Sequence, residues 1–283
     1  MTVPSLPTLM LEPLVRAALL EDLGRAGDIT TDAVVPKQAR AETVLVARQP
    51  GVVAGLDLAA LAFRLVEPGI EVRIERPDGT RLQPGDRVAT IEGPARGVLT
   101  AERVALNFLG HLSGVATATA TLVEAVTGHK ARICCTRKTM PGLRAVQKYA
   151  VRVGGGVNHR LGLDDAVLIK DNHVVAAGGV KPAILAARNA IGHLVKIEVE
   201  VDTLQQLEEA LAVGVDAVLL DNMDPSTLAE AVRMIDGRAV SEASGRITPA
   251  TAPAIAASGV DLISAGWLTH SATVLDIGLD WRQ

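Results

Sequence analysis

Six short apolar runs after residue 130 each end in groups that can bind an anion or a metal ion. These groups are Thr136-Arg137-Lys138, Lys170-Asp171-Asn172, Glu198 with Glu200, Asp221-Asn222, the stretch 242–245, and Ala265-Gly266. A hydrophobic core needs no polar residues there. One polar strand end is ordinary, but six in register predict a site, since functional groups of α/β barrels gather at the carboxyl ends of strands.

Basic residues are concentrated between Lys130 and Lys170. This segment has nine Lys and Arg residues and two acidic ones, a net charge of +7, in a chain whose formal charge is −4. A focused positive zone in an acidic protein suits a small polyanion better than a long nucleic acid. A solvated helix face over 141–152 accounts equally well for Arg152, but poorly for the basic residues beside strand ends.

Carboxylates follow the next two strands. Glu198 and Glu200 share one face of their strand with Lys196, because alternate residues point the same way. Asp221 ends the following run at the same level. Mg²⁺ is usually bound by one or two carboxylates together with substrate phosphates, so we predict Mg²⁺ between these carboxylates and a phosphate ligand. Salt bridges to Lys138 and Lys170 are the alternative, and both uses can coexist.

Two glycine-containing segments offer backbone N–H groups to phosphate. They are SEASG at 241–245 and SAG at 264–266. Packing explains either one alone, but barrel phosphate sites often follow the last two strands. His159 and Arg160 follow the run GGGVN, and such a pair suits carboxylate binding.

The elements that position these groups alternate between strand and helix. Apolar runs predict strands at 131–136, 166–170, 196–201, 217–220, 239–243 and 261–265. Helical segments at 204–212 and 225–235 fill two of the gaps, which indicates parallel strands with right-handed crossovers. Six such strands favour an α/β barrel, with an open doubly wound sheet as the alternative. The first hundred residues mix helix and strand.

Composition narrows the class of protein. With 283 residues and 48% apolar content, the chain can fill one large or two modest domains. Only 2% of residues are aromatic, and the net charge is negative, which argues against general nucleic-acid binding. The only cysteines are the adjacent Cys134 and Cys135, so no disulfide framework or zinc site is expected. No signal peptide or membrane span is apparent, and we expect a cytoplasmic protein.

Taken in order, the motifs resemble the quinolinate phosphoribosyltransferase family. They are EDLGRAGDITT at 21–31, ERVALNFLGHLSGVAT at 102–117, TRKTMPGLRAVQKYAVRVGGGVNHRLGL at 136–163, LIKDNH at 168–173, EVEV at 198–201, LLDN at 219–222, EASG at 242–245 and LTHSATVLDIGLD at 268–280. The resemblance covers almost the whole chain, and its central motifs combine many unrelated constraints.

The resemblance implies an α/β fold of the type II phosphoribosyltransferase kind. An N-terminal α/β sandwich over 1–112 would be joined by the C-terminal segment 268–283, and an incomplete, seven-stranded α/β barrel would cover 113–267. It also implies a homodimer, or a higher oligomer, with shared active sites. The implied reaction is phosphoribosyl transfer from phosphoribosyl pyrophosphate to quinolinate with decarboxylation, in NAD biosynthesis, giving nicotinate mononucleotide, pyrophosphate and CO₂.

The resemblance also implies roles for individual residues. Arg103 would reach the partner's site, and Thr136 would lie at the pocket edge. The quinolinate carboxylates would be held by Arg137, His159, Arg160 and Lys170. Phosphoribosyl pyrophosphate and Mg²⁺ would meet Lys138, Glu200 and Asp221. Phosphate would be cradled by Ser244, Gly245, Ser264, Gly266 and His270.

Two residues depart from the family pattern beside the phosphate loops. Arg246 stands where a small residue or glycine usually follows the Ser-Gly of the family, and Trp267 replaces a small residue before LTHS.

Two other functions remain as alternatives. A related phosphoribosyltransferase would act on another pyridine, such as nicotinate, or on an anionic heterocycle, although several basic residues favour a dicarboxylate. A phosphometabolite sensor without turnover is the non-enzyme alternative, and a Mg²⁺ role for paired carboxylates argues against it.

Overall fold

The computed structural model of the protein describes residues 3–282. The first elements are α1 (Thr8–Leu23), α2 (Ile29–Val34), β1 (Arg40–Ala47), β2 (Gly51–Val52), α3 (Leu56–Val66), β3 (Glu71–Ile74), β4 (Arg81–Leu82), β5 (Arg87–Pro94) and α4 (Ala95–Ala125). They are followed by β6 (Arg132–Cys134), α5 (Arg144–Val153), β7 (Val167–Ile169), α6 (Asp171–Ala177), α7 (Val180–Ala190), β8 (Ile197–Val201), α8 (Leu204–Val213), β9 (Ala217–Asp221), α9 (Pro225–Ile235), β10 (Val240–Ser244), α10 (Ala252–Ala257), β11 (Leu262–Ser264), α11 (Trp267–His270) and β12 (Ile277–Trp281).

The chain divides into two compact units. The first contains the chain up to Ala120, the segment Thr139–Gly155 and the chain from Leu268 onward, and the second contains Thr121–Lys138 and Gly156–Trp267. Helix α5 therefore belongs to the first unit, whereas the sequence-based division assigned it to the second domain.

Side-chain hydrogen bonds explain why α5 belongs to the first unit. The Gln147 amide nitrogen lies 2.9 Å from Nε2 of His111 on α4 and donates to the Thr269 carbonyl at 2.6 Å. Burial lowers the pKa of His111, which favours the neutral ring that can accept this hydrogen bond. The Tyr149 hydroxyl donates to Asp78 at 2.7 Å. These contacts join residues far apart in sequence, so no local pattern predicts them.

The first unit is built around a four-stranded antiparallel sheet in the order β12-β1-β5-β3. Strand β1 is buried along nearly its whole length, which is typical of a central strand covered on both faces. The C-terminal segment approaches α4 closely, because Gly110 and Gly114 carry no side chain. The Leu275 amide donates to the Gly110 carbonyl at 3.0 Å, and a Cβ at Gly114 would overlap the Thr273 carbonyl.

The second unit contains a six-stranded parallel sheet in the order β6-β11-β10-β9-β8-β7. The first strand of this unit pairs with the last, as in a barrel, whereas an open doubly wound sheet reverses its strand order near the middle. Within residues 3–282 no ladder joins β6 to β7, and Val157 instead makes an isolated parallel bridge to Cys134. The unit is therefore an incomplete α/β barrel, as the fold class predicts, but within residues 3–282 its sheet has six strands rather than the expected seven, because Val157 forms only an isolated bridge.

The predicted strands of this unit are confirmed to within a few residues. In β8 the pattern is alternating, with Ile197, Val199 and Val201 buried and the two glutamates between them on the other face.

Among residues 3–282, no helix combines the length and apolar character that crossing a bilayer requires.

Candidate active site

A cavity of about 350 Å³ opens in the barrel unit at the carboxyl ends of the strands. Its lining consists of Thr136, Arg137, Lys138, His159, Arg160, Leu168, Lys170, Glu200, Leu219, Asp221, Glu242, Ser244 and Ser264. Most of the residues singled out in the sequence thus share one cavity within a single unit. Three lining residues that carried no predicted role are Leu168, Leu219 and Glu242.

Four predicted site residues do not line this cavity. Gly245 and Gly266 belong to the loops that follow β10 and β11. Arg103 and His270 belong to the first unit. Arg103 is exposed on α4 beside a cavity of about 270 Å³ lined also by Asp28 and Thr100, and His270 Nδ1 lies 2.6 Å from the Ser271 hydroxyl.

Basic side chains form one side of the barrel cavity. Burial lowers the pKa of Arg160, and the charge of Arg137 lowers it further, so the two guanidinium groups are close enough to repel each other. Arg160 also donates from Nη1 to the Ala166 carbonyl at 3.0 Å, which fixes one edge of its guanidinium. Two converging arginines on a partly buried surface favour a ligand with more than one carboxylate.

Acidic side chains line the same cavity. Lys170 Nζ lies 3.5 Å from Glu200 Oε2, so the salt bridge anticipated for Lys170 is present. Burial raises the pKa of Glu200; Lys170 opposes this, and the nearby Asp221 charge raises it again. Two carboxylates that repel each other next to a phosphate-sized cavity suit a divalent cation with oxygen ligands. Glu200 and Asp221 therefore fit the donor set that Mg²⁺ requires.

Asn222 connects Asp221 to the loop after β10. Its side-chain amide donates to Asp221 Oδ2 at 2.6 Å, and its backbone N–H donates to the Ser244 carbonyl at 2.9 Å. Gly245 has φ +101°, and a Cβ there would lie 2.8 Å from Asn222 Cγ and 3.1 Å from its Cα. Asn222 itself has φ 53°. Only glycine fits at 245, because the backbone conformation and the packing both exclude a side chain.

The two residues that depart from the family pattern lie around this loop. Arg246 is exposed and has φ 52°, a left-handed conformation that costs most residues about 1–2 kcal/mol. Trp267 donates from its indole nitrogen to the Ile247 carbonyl at 2.8 Å. Trp267 therefore ties the start of α11 to the segment that follows the glycine turn.

Arg246→Gly is expected to raise the thermal stability of the protein. Relief of the left-handed strain outweighs the extra chain entropy of glycine, for a net gain of up to about 1 kcal/mol. Arg246→Ala is the matched control, because it removes the side chain but keeps the strain. Melting temperatures measured for both variants decide the matter, and a glycine variant that melts no higher than the alanine variant contradicts the prediction.

A second titratable cluster consists of Glu198 and two residues that line the same cavity, His159 and Glu242. His159 Nε2 is 2.8 Å from Glu198 Oε2 and 3.9 Å from Glu242 Oε2, and the side chains are only 12%, 12% and 2% exposed. The Arg160 backbone N–H donates to His159 Nδ1 at 2.8 Å, so that nitrogen carries no proton. The neutral ring therefore carries its proton on Nε2, and this N–H donates a hydrogen bond to Glu198. This tautomer leaves no lone pair on Nε2 for a metal ion, although the three groups are close enough to surround one.

Glu242 makes the folded protein sensitive to pH. Burial and the neighbouring Glu198 charge raise its pKa to about 7, so the fold binds this proton more tightly than the unfolded chain does. Stability should then fall by about 1–3 kcal/mol as pH rises from about 4.5 to 7 and beyond. In Glu242→Gln this loss should be much smaller. Melting temperatures across that pH range test it, with exposed Glu230→Gln as the control; an unchanged profile in Glu242→Gln contradicts the assignment.

A larger cavity, of about 640 Å³, lies in the first unit. Its lining includes Asp78, whose pKa is raised by burial. That carboxylate accepts hydrogen bonds from the Gly55 and Leu56 amides at the start of α3 and from the Tyr149 hydroxyl. Its oxygens serve to cap α3 and hold α5, so this cavity lacks the converging reactive groups of the barrel cavity.

Comparison with known proteins agrees with this geometry. Models of the quinolinate phosphoribosyl transferase N-terminal and C-terminal domains match residues 28–113 and 115–280. A nicotinate-nucleotide pyrophosphorylase (carboxylating) from Mycobacterium leprae is 50% identical over 271 residues, which cover 94% of this chain and 95% of the relative. A probable enzyme of the same name from Bacillus subtilis is 42% identical over 272 residues, covering 96% and 93%.

Solved structures show the same relationship. The crystal structure of NadC from Streptococcus pyogenes superposes with a TM-score of 0.94 at 42% identity, covering 99% of this chain and 100% of that one. The nicotinate-nucleotide pyrophosphorylase of Francisella tularensis also has a TM-score of 0.94, at 36% identity, covering 100% and 99%. Because both domain models match in order and together span most of its length, the chain belongs to the quinolinate phosphoribosyltransferase family.

Proposed function

We propose that this protein transfers the phosphoribosyl group of phosphoribosyl pyrophosphate to quinolinate, releasing pyrophosphate and CO₂ and forming nicotinate mononucleotide for NAD biosynthesis. The observation that carries the proposal is the barrel cavity, which is lined by arginine and lysine side chains together with the carboxylates of Glu200 and Asp221. A pyridine dicarboxylate needs cationic side chains to bind it. Pyrophosphate is usually bound together with a divalent cation, which the two carboxylates would hold. Family membership supports the same reaction.

The arginine side of the cavity binds the acceptor in this proposal. Arg137 and Arg160 each present a planar fork to one carboxylate, and Lys170 contributes a point charge. With both carboxylates held, the pyridine nitrogen is aimed at the anomeric carbon of the ribose, which is a positioning effect. Nicotinate has one carboxylate and would leave one of the converging cations without a partner, so we expect quinolinate to be preferred.

The carboxylate side of the cavity binds the donor. Glu200 and Asp221 would hold Mg²⁺, while Lys138 and the Ser244–Gly245 and Ser264–Gly266 loops would contact phosphate oxygens. When bound, Mg²⁺ supplies positive charge that stabilises the departing pyrophosphate. Asn222 holds Asp221 in place by its 2.6 Å hydrogen bond.

The reaction then needs no general base from the protein. The bond between the anomeric carbon and pyrophosphate breaks while the pyridine nitrogen forms a bond to that carbon. The ring nitrogen becomes cationic, so the ring can accept the electron pair left when the adjacent carboxylate departs as CO₂. A proton from water then replaces the carboxylate on the ring carbon.

A homodimer with shared active sites is part of the proposal. Arg103 is exposed on α4 and belongs to the first unit. Its proposed role is to reach a partner's site.

That the protein works in the cytoplasm remains a prediction from the sequence.

The test of the proposed function is product analysis. Purified protein receives phosphoribosyl pyrophosphate and Mg²⁺ with either quinolinate or nicotinate, and a chelator is added in a parallel reaction. We expect equal amounts of CO₂, pyrophosphate and nicotinate mononucleotide from quinolinate, and none with chelator. Folded protein that forms no product from quinolinate, or prefers nicotinate, contradicts the assignment; turnover that resists the chelator contradicts only the metal site.

A further inference from the structure

A chain of hydrogen bonds between poorly exposed groups includes two residues that line the barrel cavity, His159 and Arg160. It runs from Glu198 on β8 to His159 Nε2 at 2.8 Å, and from His159 Nδ1 to the Arg160 backbone N–H at 2.8 Å. Glu198 and His159 are each only 12% exposed. Both ring nitrogens therefore have partners within the protein, and one of those partners is the backbone of a residue that lines the cavity.

The direction of this chain follows from the chemistry of the groups. A backbone N–H only donates, so Nδ1 must be the unprotonated nitrogen, and Nε2 must carry the proton. Glu198 accepts that proton in a hydrogen bond and so selects the tautomer that Arg160 requires. Without Glu198, Nε2–H would be a nearly buried donor that has lost this acceptor, and the ring would be free to turn or change tautomer.

The electrostatics favour the same arrangement. Burial and Arg137 both act against the charge of Arg160, whereas the Asp165 charge and, to a smaller extent, the Glu198 charge support it. Arg160 Nε has no hydrogen-bond partner within residues 3–282, so the guanidinium depends on its Nη1 contact to Ala166 and on its backbone position. Glu198 thus acts on Arg160 both through the histidine ring and through charge.

We propose that Glu198 is a positioning residue, which fixes the Nε2–H tautomer of His159 and thereby the position of Arg160 in the acceptor half of the cavity. The role of Arg160 toward the acceptor rests on the proposed function, whereas the tautomer does not. Glu198 is distinct from Glu200, two residues later, which faces Lys170 and Asp221 and belongs to the donor half. The two glutamates of β8 thus have separate tasks.

The first measurement is independent of turnover. Histidine-selective ¹⁵N labelling, with the His159 signal identified by its loss in His159→Gln, reports which ring nitrogen is protonated. We expect Nε2–H in the wild type and a changed tautomer or mixture in Glu198→Ala. Glu198→Gln should keep Nε2–H, because the Gln carbonyl oxygen can accept the same hydrogen bond. A wild-type ring protonated on Nδ1 overturns the proposal even if the enzyme is active.

The second measurement is binding of quinolinate by calorimetry, together with steady-state kinetics. Glu198→Ala should weaken quinolinate binding on the order of 10-fold, with most of the effect in KM rather than kcat, and leave phosphoribosyl pyrophosphate binding unchanged. Glu198→Gln should recover most of the affinity. Glu209→Gln, an exposed carboxylate on α8, is the matched control.

These outcomes separate the proposal from the proposed function. Wild-type protein that makes no product from quinolinate would contradict the function and leave the tautomer measurement valid. Active wild-type protein with Glu198→Ala binding quinolinate normally would overturn the positioning role alone. The role is also overturned if folded Glu198→Gln is as impaired as Glu198→Ala, because the charge rather than the hydrogen bond would then be what matters.

Discussion

Arg137→Ala is expected to lower kcat/KM for quinolinate by about 100-fold or more. A guanidinium that binds a carboxylate through two charge-assisted hydrogen bonds contributes about 3 kcal/mol, and its loss leaves part of the ligand charge unmatched. The effect should appear in quinolinate affinity, measured by calorimetry, while affinity for phosphoribosyl pyrophosphate changes little. An unchanged quinolinate affinity would remove Arg137 from the acceptor site.

Two further arginine variants sharpen this test. Arg137→Lys keeps the charge but loses the planar fork, so it should fall between wild type and Arg137→Ala. Arg152→Ala removes an exposed basic residue of α5 that belongs to the same positive segment of the sequence but to the first unit. Near-normal kinetics in Arg152→Ala would show that the effect belongs to the barrel cavity rather than to general positive charge.

Gly245→Ala is expected to weaken phosphoribosyl pyrophosphate binding by about 100-fold. The new Cβ would meet Asn222, whose Cα lies 3.1 Å away, and the φ of +101° would be strained for alanine. The loop must therefore shift, and a displacement of about 1 Å at a positioning loop can cost on the order of 100-fold in rate. Asn222 also donates to Asp221, so the apparent affinity for Mg²⁺ should fall with it.

A second glycine separates strain from displacement. Gly237 has φ +70° and open space where its Cβ would lie, in the turn before β10. Gly237→Ala should lower stability by about 1–2 kcal/mol through backbone strain alone and leave ligand binding intact. Calorimetry with phosphoribosyl pyrophosphate distinguishes the two variants. Normal binding by Gly245→Ala would mean that the loop does not hold phosphate.

Much of the barrel could be predicted because its signals are local. In β8 the alternation of apolar and acidic residues assigns the strand, its two faces and the direction of Glu198 and Glu200 at once. In β9 the apolar run stops at Asp221, which places that carboxylate at a strand end. These patterns depend only on the two-residue repeat of a strand, so neighbouring residues contain all the information.

The roles of His159 and Glu242 could not be predicted in the same way. A histidine beside an arginine suggested a carboxylate ligand, but both ring nitrogens prove to be engaged within the protein. Glu242 belongs to the polar end of its run, and its sequence neighbours give no sign that a second glutamate and a histidine lie close to it. The conformation of Arg246 likewise follows from its loop rather than from its residue type.

The sequence by itself determined the strands, the helices between them, the side of the barrel on which polar groups gather, and the family. Only the tertiary structure decided that β6 pairs with β11, that α5 joins the first unit, and that Asn222 packs against Gly245. The reason is physical. Periodicity and turn preference act over a few residues, whereas hydrogen-bond partners, burial and loop packing depend on which distant segments meet when the sheet is formed.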